Sequence, residues 1–159
     1  MAQNKKKSSL IASGIVTHNR RANFDYAIEE KMTAGLVLTG TEVKSLRMGH
    51  ANINDAYGVV RDGEIYMLNM FIAEYTNKGY SSHIEKRERK LLLNHREIIN
   101  ITNALARKGA TLVAIKLFFN EKGRAKLEIG LGYGKKNYDK RETIKKREID
   151  RKIRAQDFR

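Results

Sequence analysis

Two neighbouring segments constrain the fold of this chain most. Thr111–Phe119 is dense in strand formers. After the turn residues Asn120-Glu121-Lys122-Gly123, the apolar residues Ala125, Leu127, Ile129 and Leu131 alternate with Lys126, Glu128 and Gly130. A period of two is the pattern of a strand with one buried face, and a polar turn joins two such strands antiparallel. The alternation puts Leu112, Ala114, Lys116 and Phe118 on one face and directs Val113, Ile115, Leu117 and Phe119 inward. A second hairpin spans Ala56–Met70. Asp62-Gly63 supplies a type I′ turn between Tyr57-Gly58-Val59-Val60 and Ile65-Tyr66-Met67-Leu68.

The other elements are short. Tyr26-Ala27-Ile28-Glu29-Glu30 and Gly35-Leu36-Val37-Leu38 read as two strands. Thr41 serves as the N-cap of a helix that carries Glu42 in its first turn and Arg47 in its last, and ends at Gly49. Asn94 with Glu97 opens a longer helix, in which Ile98, Ile101, Thr102 and Leu105 recur at helical spacing up to the Gly109 cap. Residues 73–88 read as a long polar loop. The class is mainly β with two or three flanking helices, and a small antiparallel barrel fits it better than a parallel α/β sheet.

Charge divides the chain into three. The formal net charge is +14. Residues 1–21 carry five Lys/Arg and no acid, and residues 133–159 carry eleven against five acids. Residues 22–132 carry sixteen against thirteen, so this stretch is the folding body. Residues 1–21 read as a disordered basic arm. Residues 133–159 read as a basic tail in which Ile144, Ile149 and Ile153 make a narrow apolar stripe, folding as a helix only on a partner. Cationic arms on a balanced body favour a polyanion, because each neutralised phosphate releases counterions. Cysteine is absent, and no apolar run approaches membrane-spanning length. These features fit a soluble cytoplasmic protein without a disulfide framework and without a membrane partner.

Catalytic patterns are missing. His18, His50, His83 and His95 lack metal-ligand spacing. No cysteine or glycine-flanked serine offers a nucleophile. Glu29 and Glu30 face opposite ways on a regular strand and cannot pair as acid and base. Gly130-x-Gly132-x-Gly134-Lys135-Lys136 fails the phosphate-loop spacing. No catalytic residue, metal site or cofactor is expected. Nucleic-acid binding is expected from the arms, from the ridge Thr41–Arg47, and from Arg87-Glu88-Arg89-Lys90. Tyr75, Tyr80, Tyr133 and Tyr138 lie in loop or tail and are the better candidates for stacking on unpaired bases, with Tyr138 first.

Four ordered motifs carry a resemblance: Asp25-Tyr26-x-Ile28-Glu29-Glu30, Ala34-Gly35-Leu36-x-Leu38-x-Gly40-Thr41-Glu42-Val43-Lys44-Ser45-Leu46-Arg47, Arg89-Lys90-Leu91-Leu92-Leu93, and Gly134-Lys135-Lys136-x-x-Asp139-Lys140-Arg141. The chain resembles the small protein B family, the tmRNA (SsrA RNA)-binding proteins of bacterial trans-translation, from about Asn19 to Arg154. The resemblance implies an OB-like antiparallel β-barrel. It implies binding to the tRNA-like part of tmRNA and delivery with elongation factor Tu and alanyl-tmRNA to a stalled 70S ribosome. There the tail would meet the decoding centre of the 16S rRNA and enter the mRNA channel as a helix. The implied RNA-binding positions are Asn19, Arg20, Arg21, Glu42, Lys44, Arg47, Arg89 and Lys90. The implied decoding-centre positions are Gly134, Lys135, Lys136, Tyr138, Asp139, Lys140 and Arg141. Thr33 stands where many members carry an acid, Tyr138 where some carry histidine, and Ala27 where some carry a larger aromatic. A general ribosome-associated RNA-binding protein of the same fold is the alternative. An RNA-processing hydrolase is disfavoured by the missing acid cluster and histidine pair.

Overall fold

The computed structural model describes residues 10–75, 82–135 and 137–157. Among the described residues the chain is mainly β with four helices. In order these are β1 (Gly14–His18), α1 (Ala22–Asp25), β2 (Tyr26–Leu36), α2 (Gly40–Arg47), β3 (Ala51–Asn52), β4 (Tyr57–Arg61), β5 (Glu64–Leu68), β6 (Phe71–Ile72), β7 (Arg89–Leu92), α3 (His95–Leu105), β8 (Ala110–Phe119), β9 (Ala125–Gly134) and α4 (Asn137–Asp157). The pairings of the large sheet close on themselves. β8 bonds β4, then β5, β7, β2 and β9 follow in turn, and β9 bonds β8 again. β4 covers only Leu112 and Val113 of β8. β1 covers the other half of the same edge, Lys116 to Phe119.

Local chemistry explains most elements. Asp62 and Gly63 both take positive φ, 51° and 74°, as a type I′ hairpin turn needs. Asn94 caps α3, its side chain accepting from the Glu97 N–H at 2.9 Å. The cap of α2 is Thr39 rather than Thr41. Thr39 and Glu42 form a reciprocal capping box, which needs the acid three residues after the cap. The two expected strands at Tyr26 and Gly35 are one strand of eleven residues, paired along most of its length with β9.

A β-bulge decides which side chains of β8 reach the core. The register shifts between Ala114 and Lys116, so parity reverses there. Leu112, Ala114, Leu117 and Phe119 join the main core with Ile65, Met67, Leu91, Ile101, Leu127 and Ile129. Val113 and Ile115 go to a second, smaller cluster with Ala22, Tyr26 and Ile28. Strict alternation is thus right for Leu117 and Phe119 and reversed for Leu112 to Ile115. A second bulge, between Ile28 and Glu30, does the same to β2. Glu29 and Glu30 consequently line one cleft of about 530 Å³ with Asn100, Asn103, Arg107 and Tyr133, instead of facing apart.

Both ends differ from the sequence reading. Order begins within the expected arm: Ile11 and Val16 pack on the core, and β1 pairs with β8. Residues 1–9, the rest of the expected arm, lie outside the described residues, as do 76–81 of the expected loop and Lys136. The tail carries the 21-residue α4 in the chain alone, where a helix only on a partner was expected. Its first turns rest on α1 and supply the tertiary contact that an isolated helix lacks.

Gly132, opposite Ile28 in the β2–β9 ladder, tests the packing at the second bulge. A Cβ there would stand 2.7 Å from the Ala27 carbonyl oxygen, a backbone atom that cannot swing away. Gly132→Ala is expected to cost about 1–3 kcal/mol, seen in urea melts as a lower midpoint at unchanged slope.

Candidate nucleic-acid interface

Glu42 is fully buried in the first turn of α2. Its Oε1 accepts from the Thr39 N–H at 3.0 Å and from Arg87 Nη2 at 2.6 Å. Its Oε2 accepts from Arg89 Nε. Arg89, equally buried in β7, donates from Nη1 to the Met70 carbonyl and from Nη2 to the Glu85 carbonyl at 3.1 Å. Burial pushes the Glu42 carboxyl up, but the Thr39 N–H and the two guanidinium groups outweigh it and hold it below the usual carboxylate range. Burial also pulls the Arg89 guanidinium down, against the Glu42 carboxylate, yet an arginine stays charged. Both groups are thus spent inside the fold. Glu42 orients arginines, and Arg89 presents no donor at the surface.

Two more of the implied RNA contacts are structural. Asn19 is buried, and its Nδ2 donates to the Ala114 carbonyl at 2.9 Å while its Oδ1 accepts from the Arg21 N–H at 3.2 Å. Arg47 donates to the Ile11 carbonyl at 3.0 Å and the Gly123 carbonyl at 3.2 Å, with its guanidinium 4.6 Å from the Phe119 ring centre. It clamps the root of the N-terminal segment to the β8–β9 turn. Arg20, Arg21 and Lys44, by contrast, are exposed. Lys44 lies 5.3 Å over the Tyr75 ring. Lys90 is half-exposed on β7, with Nζ 3.7 Å from Glu64. The cations that reach the surface therefore stand on three separate pieces: the turn before α1, the outer face of α2, and β7.

The tail positions gather around α1. The Lys135 N–H donates to the Asp25 carbonyl at 2.9 Å, and its Nζ donates to Thr143 Oγ1 at 3.2 Å. Lys140 Nζ is 3.5 Å from Asp25 Oδ1, and Arg21 Nε is 3.8 Å from Oδ2 of the same carboxylate. Lys140 and Arg147 both lie 5.8 Å from the Phe24 ring centre. Gly134 ends β9, exposed, and pairs with Tyr26; Arg141 is exposed. Tyr138 and Asp139 fall within α4. Phe24 and Asp25 were missed as the tail's seat. The signal was an aromatic and an acid side by side, just before a strand, in a chain of net charge +14.

Tyr75 and Tyr133 are half-buried, and Tyr80 lies outside the described residues. His83 bridges Thr41 Oγ1 at 2.9 Å and the Ile72 carbonyl at 3.0 Å, which ties the loop before β7 to α2. Among the described residues, no group of three or more His, Cys, Asp or Glu could hold a metal ion, and no helix is long and apolar enough to cross a membrane.

The sequence model of the family described as SmpB protein matches residues 16–157. The chain belongs to the SmpB protein family. An SsrA-binding protein of Bartonella henselae is 51% identical to this SmpB sequence over 148 residues, covering 93% of each chain. An SsrA-binding protein of Brucella canis is 49% identical over the same length and shares. A chain in the solved structure described as "tmRNA-SmpB: a journey to the center of the bacterial ribosome" is 44% identical and aligns with a TM-score of 0.65, over 76% of this chain and 85% of that one.

Removing one partner of the buried pair should unfold this SmpB domain readily. Glu42→Ala leaves Arg89 as an uncompensated buried charge, at an expected cost of about 3–5 kcal/mol in chemical denaturation. Because the Glu42 carboxyl is held low, its contribution is present above the ordinary carboxylate range and is lost as pH falls through its folded value. Acid titration of stability should therefore be shallower in Glu42→Gln than in the parent chain.

Proposed function

We propose that this chain binds the tRNA-like part of tmRNA and carries it to stalled ribosomes in trans-translation. The observation that carries this reading is the 51% identity to a protein named for SsrA binding, over 93% of both chains. The structural match to a chain from a tmRNA-SmpB ribosome structure supports the ribosomal half of it. The closed ring of pairings through β4, β5, β7, β2, β9 and β8 is read as an OB-like barrel, a scaffold that suits single-stranded and looped RNA.

The body grips RNA through cations that reach the surface, Arg20, Arg21, Lys44 and Lys90. Asn19, Glu42, Arg47 and Arg89 act behind them by fixing the backbone on which those cations stand. The tail, with Gly134, Lys135, Lys136, Tyr138, Asp139, Lys140 and Arg141 at its base, meets the 16S rRNA of the vacant decoding centre. The helix beyond follows the empty mRNA channel. Elongation factor Tu with alanyl-tmRNA accompanies the delivery. The role is one of binding rather than catalysis, and a ribosomal task puts the protein in the cytoplasm.

Removing every residue after Lys135 spares β9. It should leave tmRNA affinity within a few-fold of the parent and abolish peptide tagging on ribosomes stalled without a stop codon. A large loss of affinity would instead make the tail the main RNA site. Lys90→Ala should lower the salt slope of tmRNA binding by about one while the protein stays folded. Arg89→Ala should show first as lost stability.

A further inference from the structure

A cleft between the start of β2 and the β3–β4 connection carries chemistry that the basic ridge does not use and that the tail touches at Asp25. It encloses about 260 Å³, and its lining includes Asp25, Tyr26, Asn54, Asp55, Tyr57 and Thr111. That volume lies just below the roughly 300–1,000 Å³ of sites for drug-sized ligands and suits one planar ring system. In a chain of net charge +14 the lining is rich in acceptors: two carboxylates, an amide carbonyl and a hydroxyl. Two phenol rings add stacking faces, and Tyr57 is 38% exposed. Cations stand at the rim. Arg21, its side chain 72% exposed, and Lys140 flank Asp25 at 3.8 and 3.5 Å.

Acceptors within and cations outside match a nucleotide, whose base edge donates while its phosphate is anionic. We propose that this cleft takes one unpaired guanine of the bound RNA, deepening the RNA-binding reading above and resting on it. Guanine alone among the four bases offers two adjacent N–H donors on its Watson–Crick edge, N1–H and the N2 amino group. A carboxylate accepts both at once, as it accepts the fork of an arginine. Asp25 already faces Arg21 and Lys140, so Asp55, exposed in the turn before β4, is the reading carboxylate. The base stacks on Tyr57, and the flanking phosphate meets Arg21. An arginine side chain of a protein partner would also suit the acceptors, but the rim cations repel it and attract the phosphate.

The test uses the full chain and fluorescence anisotropy. Labelled uridine hexanucleotides carry one guanine, one inosine or one adenine, and the tRNA-like fragment of tmRNA runs in parallel. The guanine oligonucleotide should bind about tenfold or more tighter than the adenine one, with inosine between because it lacks the amino group. Asp55→Asn, a surface-turn change that preserves shape, should abolish the preference. Tyr57→Ala should weaken all three oligonucleotides together. Equal binding of the three, or a guanine preference that survives Asp55→Asn, overturns the proposal. So does an arginine-containing tetrapeptide that displaces the oligonucleotide from the parent chain but not from Asp55→Asn, which would make this a peptide site. Failure to bind the tRNA-like fragment at all would sink the RNA reading itself. Binding the fragment without base discrimination sinks only the guanine cleft.

Discussion

The buried carboxylate of Glu42 is the contact on which the basic surface depends. Through the Thr39 N–H it closes the first turn of α2. Through Arg87 it holds the Val37 carbonyl, and through Arg89 the carbonyls of Met70 and Glu85. One acid thus ties the end of β2, the start of α2, the residue before β6 and the approach to β7. A buried ion pair is a poor way to gain net stability, since desolvation offsets much of the attraction. Its contribution here is positional. Apolar replacements could fill the volume, but they would not set α2 and β7 at one register, with Lys44 and Lys90 facing out.

That arrangement separates the cations into two kinds. Arg47 and Arg89 spend their forks on backbone carbonyls, where planar, multi-donor geometry counts. Arg20, Arg21 and Lys44 are exposed and Lys90 half-exposed, so phosphates can reach them from solvent. A count of basic residues treats all of them alike. Only the packing distinguishes a guanidinium that builds the scaffold from one that is available to a ligand.

Much of the architecture was legible in the sequence because its signals are local. The Asp62-Gly63 turn, the Asn94 cap and the β8–β9 hairpin each depend on residues a few positions apart. The misses come from long-range events. The bulges at Ile115 and Glu29 reverse strand parity, and the glycines beside them, Gly130 and Gly132, lie on the facing strand rather than next to them in sequence. β1 pairs with the part of β8 that β4 leaves uncovered, which a reading of residues 14–18 alone cannot reveal. For the site, the family motifs picked out residues that matter without saying how. Asn19, Glu42 and Arg89 turned out to be buried and Arg47 to be a half-buried clamp, and the seat of the tail on Phe24 and Asp25 had no motif of its own.

That seat governs how the tail leaves the body. The Lys140–Asp25 pair is partly solvated on both sides, so it contributes at most about 1 kcal/mol and weakens further with salt. Aromatic contact with Phe24 adds a similarly modest hold at an open site. Such a tether breaks and re-forms under thermal agitation alone. A helix held so lightly by charge at its root is retained less firmly as ionic strength rises.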